Sequence, residues 1–170
     1  MQNTGTSEGQ LLAGAAKIVI TDEQGEPAND PLYVKALVLK AGETTAVIIT
    51  VDAVAIEEIG SIKRGYLDGV RAQLGEALGI KPAHVVINAS HCHGRVCADV
   101  EARTVQAVKV AYRAMVPVRA GTGTGHEDRV SENRRLKLKN GKEADVRHAY
   151  ALPPDNEVAS LGPIDPEIGI

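Results

Sequence analysis

The spacing of apolar residues switches along this chain between the period of a strand and that of a helix, and each switch marks an element. Residues 15–21 (AAKIVIT) are short and β-branched and predict a strand. TDEQGEPANDP, at 21–31, is turn-rich and holds two prolines. The runs 33–40 (YVKALVLK) and 45–52 (TAVIITVD) are joined by AGET, with Gly42 in the loop, and predict a hairpin. TAVIITVD is apolar almost throughout, so burial on both faces is expected.

From Glu57 the period becomes helical. Ile59, Ile62, Tyr66, Val70, Leu74 and Leu78 stand three or four apart and predict a helix over 57–78. Gly79 closes it and Pro82 prevents its resumption. Residues 84–90 (HVVINAS) again predict a buried strand. Asp99 can cap a second helix over 99–114, with Val100, Thr104, Ala107, Val108 and Ala111 on one face and Pro117 beyond its end. Residues 116–124 (VPVRAGTGT) predict the next strand, running into a glycine-rich loop. Strand, helix, strand, helix, strand is the order of crossover units. The fold class expected is therefore α/β, with a mixed, largely parallel sheet. Asn140-Gly141 predicts a C-terminal antiparallel hairpin over 136–146. Four prolines in 151–170 predict mostly loop there.

Residues 1–10 are small and polar, which predicts a disordered leader; they show neither the charged start nor the apolar stretch of a signal peptide. Residues 11–170 read as a single domain. The chain closes on LGPIDPEIGI, an apolar, strand-like run, and is expected to be the front portion of a longer protein.

Composition alters this picture in two respects. Aromatic residues are 2% of the 170, four Tyr with no Phe or Trp, so the core must be aliphatic and a base-stacking surface for single-stranded nucleic acid is excluded. The 22 acidic and 19 basic residues leave a net charge of −3, without the basic footprint of a nucleic-acid or anionic-membrane binder. No apolar run approaches the roughly 20 residues of a membrane helix. Two cysteines, Cys92 and Cys97, do not make a disulfide scaffold.

The chemical signal is ASHCHGRVC, 89–97, directly after a predicted strand. In open α/β sheets ligands gather at the carboxyl ends of strands. Alternate residues of a strand share a face, so His91 and His93 are expected to point together and Cys92 away. Two imidazoles can share one metal ion, or one can bind metal while the other acts on substrate. Zinc suits these ligands, and copper, nickel and iron accept them too. Two ligands do not complete a site. Asp52, Asp99, His126 and His148 are the further candidates, with Cys97 open as a soft donor or a small buried hydrophobe. Asp52 ends TAVIITVD, where it can fix a histidine tautomer as a second-shell or weak ligand, or serve as a turn carboxylate. The loop AGTGTGH, 120–126, lacks phosphate-binding spacing. In the charged stretch before residue 136, Arg134 can hold an acyl oxygen or carboxylate through its fork.

Taken in order, LLAGAAKIVIT, DPLYVKALVLKAG, TAVIITVDAVAI, NASHCHG, ENRR and GPIDPEIGI resemble the neutral/alkaline non-lysosomal ceramidase-like proteins, closest to their uncharacterised bacterial members. The resemblance runs from about residue 11 to residue 170. It implies a zinc-dependent amidase with a layered α/β fold, in which zinc-activated water attacks an amide carbonyl. The family's strand-end motif is His-Thr-His-Ser-Gly-Pro; its first His binds zinc and its second acts on the carbonyl. These map onto His91 and His93, and the family's substrate-site arginine maps onto Arg134. HCHGRV departs from the motif after the second histidine. The family's remaining ligands (a second His, a Glu and a Tyr) and its active-site Ser are expected beyond Ile170. Zinc is the implied cofactor, a small-molecule amide or lipid-like molecule the implied substrate, and a secreted or periplasmic location is implied as well. Self-association through exposed apolar surface is also expected. Two alternatives stand beside this reading: a non-catalytic module that keeps the fold, and a different zinc hydrolase complete within these residues.

Overall fold

A computed structural model describes residues 9–24, 29–57, 59–145 and 153–170. Residues 1–8 of the expected leader, and His148, lie outside the described residues. The chain divides into two compact units, residues 1–120 and 121–170.

In the first unit a five-stranded sheet carries two helices. Its strands are β1 (Leu12–Val19), β2 (Tyr33–Ala41), β3 (Thr44–Val51), β4 (Val85–Ala89) and β5 (Val116–Pro117), in the order β4-β3-β2-β1-β5. The helices are α1 (Tyr66–Leu78) and α2 (Val100–Arg113). Alternation decides which face is buried. Val34, Ala36 and Val38 of β2 point into the core with Val47, Ile49 and Val51 of β3, and α2 packs over β1 and β2. Tyr66, Val70 and Leu74 of α1 and Val105 and Val108 of α2 join them in one aliphatic core.

The sheet is mixed but mostly antiparallel, which corrects the largely parallel expectation. Only β3 and β4 run parallel, in register from Val47 opposite Val85 to Val51 opposite Ala89. β1–β2 and β2–β3 are antiparallel neighbours. The third strand of the predicted alternation does not join β4. Val116 and Pro117 pair instead with Ala13 and Leu12 of β1, at the opposite edge. That edge suits Pro117, which has no N–H to donate. The expected strand over 116–124 is thus only two residues long at its start, and Thr124–His126 forms a separate strand of the second unit.

Two further expectations change. The helix predicted over 57–78 begins at Tyr66. Glu57, Gly60 and Gly65 have left-handed φ of 62°, 89° and 94°, incompatible with a helix through them. Glu57 Oε1 instead accepts the N–H groups of Gly65 and Leu67 at the start of α1. Ile62 is still buried, from an irregular segment that copies helical spacing. TAVIITVD is buried on one face only, because the helices cover one side of the sheet. On the other side Leu37, Ile48 and Val86 form a row across β2, β3 and β4, 36%, 43% and 57% exposed.

In the second unit β7 (Arg135–Leu138) and β8 (Glu143–Asp145) form the expected antiparallel hairpin. Its turn holds Gly141 at φ 80°, and Asn140 Oδ1 accepts the Lys142 N–H. Residues 151–170, expected as mostly loop, carry two strands. β9 (Val158–Leu161) pairs with β7, and β10 (Glu167–Gly169) pairs with β6 (Thr124–His126). The prolines flank these strands without interrupting them. No helix among the described residues is long and apolar enough to cross a membrane.

Candidate functional site

β4 ends at Ala89, and the chain beyond it stays bound to the parallel neighbour. Ser90 N–H donates to Val51 O at 3.0 Å, and Cys92 N–H donates to Ala53 O at 3.1 Å. His91 sits between these two tethers with φ 60°, a left-handed conformation that a histidine adopts at some cost. The turn brings its ring against that of His93. The ring centroids are 4.9 Å apart in an edge-on arrangement, and the two Nε2 atoms are 3.3 Å apart. Both side chains are exposed, while Cys92 is half-buried against the core. The imidazoles therefore lie side by side, but through a turn and not through the alternation of a strand.

Asp52 is built into the foundation of this turn. Its Oδ1 accepts from Ser90 Oγ at 3.0 Å and from Lys35 Nζ at 3.3 Å, and its Oδ2 accepts from the Tyr33 N–H at 3.0 Å. Burial opposes ionisation of this carboxyl. The hydrogen bonds from Tyr33, Ser90 and Lys35 outweigh that effect and hold its pKa below the usual carboxylate value. Sequence reasoning did not single out Ser90 or Lys35, whose only signal is strand register.

The other candidates are placed differently. Asp99 precedes α2 but makes no side-chain cap; it accepts from Arg103 Nε at 2.9 Å and from the Cys97 thiol. Burial, then the bond to Asp99, pushes the Cys97 thiol up to about 11, a poor ligand and a poor nucleophile. His126, in the second unit, faces Asp128 at 3.4 Å. Arg134 is exposed just before β7, in a turn tied by Asn133. The Asn133 Oδ1 accepts the Arg135 N–H, and its Nδ2 donates to Pro163 O.

Two nitrogens on one tetrahedral zinc, each about 2.0–2.1 Å from it, stand roughly 3.3–3.4 Å apart. The Nε2 pair has that separation, so the donor types and their spacing fit two positions of a zinc site. Among the described residues, no group of three or more His, Cys, Asp or Glu side chains is placed to hold a metal ion.

No known family model matches the sequence. No curated protein matches it either. Among solved structures the chain is similar to neutral ceramidase from Pseudomonas aeruginosa, with a TM-score of 0.64 at 17% identity, covering 75% of this chain and 25% of that one. A ceramidase complexed with C2 matches with a TM-score of 0.63 at 17% identity, over 74% of this chain and 25% of that one. The chain thus spans about a quarter of the length of these structures. The ceramidase-like relationship read from the motifs holds at the level of fold: this chain has the fold of part of a neutral ceramidase.

Proposed function

We propose that this chain forms part of a zinc-dependent amide hydrolase, with His91 as a zinc ligand and His93 as the group that acts on the substrate carbonyl. The observation that carries this reading is the 3.3 Å separation of the two Nε2 atoms on a turn pinned to the end of β4. The fold shared with ceramidases supports it. Zinc, when bound, supplies a water of lowered pKa near neutrality. The chain's own residues supply the rest. His91 presents Nε2 from a backbone tethered on both sides. His93, within hydrogen-bonding range of that nitrogen, donates to the carbonyl oxygen as negative charge builds on it. Asp52 holds Ser90, and through it the entry to His91. Arg134, in the second unit, has its role by resemblance alone, that of holding an acyl oxygen or carboxylate through its fork. The substrate is an amide with an acyl chain, and the missing ligands come from polypeptide beyond this chain.

Zinc held by His91 without its further protein ligands binds weakly, so zinc uptake is the informative measurement. Titration of the purified chain with zinc should show weak binding that His91→Ala abolishes. Binding indifferent to His91 overturns the assignment. The lack of a third ligand beside the pair, among the described residues, favours one second reading: a non-catalytic module that retains the fold. No zinc uptake by the intact protein would select it.

A further inference from the structure

We draw no further inference here: the strongest candidate, the exposed aliphatic row of Leu37, Ile48 and Val86 on the helix-free face of the five-stranded sheet, carries nothing because no feature of the structure shows what covers it.

Discussion

Ser90 and Asp52 are hydrogen-bonded across the ends of two parallel strands, Oγ to Oδ1 at 3.0 Å, one residue before His91. Asp52 also holds the start of β2 through the Tyr33 N–H and reaches Lys35, so one carboxylate ties β2, β3 and the turn after β4 together.

Replacing Asp52 by Asn should therefore cost about 1–3 kcal/mol of stability, as an ionised acceptor with several donors is lost. The pH dependence has a definite sign. The folded pKa lies below the reference of 3.8, so the stabilisation is complete above about pH 4 and is lost as pH falls through the folded value. Urea melts from pH 6 down to pH 2 should show a steeper acid decline in the parent than in Asp52→Asn. Parallel declines would show that Asp52 does not carry the effect.

Tyr66 sets the opposite limit. Its hydroxyl meets Thr104 Oγ1 at 2.7 Å inside the core, and Thr104 donates in turn to Val100 O. Burial, opposed in part by the bond to Thr104, raises the phenol from 10.0 to about 12. A raised folded value leaves stability intact below pH 10 and removes it as pH rises from there toward 12. Tyr66→Phe should cost about 1 kcal/mol at neutral pH and lose that alkaline limb. Thermal melts between pH 8 and pH 12 would reveal it.

Gly14 lies in β1 beneath the C-terminal turn of α2. A Cβ there would collide with the Ala111 carbonyl oxygen and stand 2.9 Å from the Met115 amide nitrogen, both backbone atoms. Gly14→Ala should lower stability by about 1–3 kcal/mol through forced separation of helix and sheet. A denaturation midpoint equal to that of the parent would contradict this packing.

The left-handed backbone of His91 yields a comparison between two variants. His91→Gly and His91→Ala both delete the imidazole and should lose zinc uptake alike. Glycine accepts φ 60° freely whereas alanine does not, so His91→Gly should be more stable than His91→Ala by about 1 kcal/mol. The reverse order would mean that the turn is not left-handed at this residue.

Much of this architecture is legible in the sequence, and its failures have local causes. The β2–β3 hairpin, α2 and the Asn140-Gly141 hairpin follow from alternation, helical period and turn chemistry that tertiary contacts reinforce. Strand direction does not follow, because strand-helix-strand order says nothing about which edge Val116 and Pro117 will seek. The segment before α1 deceives because Ile59 and Ile62 keep helical spacing while Gly60 and Gly65 refuse the conformation. At the site, the nearness of the two histidines is readable from their spacing. The turn that produces it is not, since a positive φ at His91 has no signature in residue type. Asp52 is visible as a strand-end carboxylate; its partners Ser90 and Lys35 emerge only from register, set by long-range pairing.

The placement of β4 also imposes an order of assembly. β2 and β3 meet across a two-residue turn, and hairpins of this sort close within about 1–10 μs. Ser90 and Asp52, by contrast, lie 38 residues apart in sequence. Their meeting waits for the α1 crossover to return β4 alongside β3, a closure whose entropy cost grows with the length of the connection. The β2–β3 hairpin is therefore expected to form first, and the two backbone tethers that shape the histidine turn, Ser90 to Val51 and Cys92 to Ala53, can form only once β4 lies alongside β3.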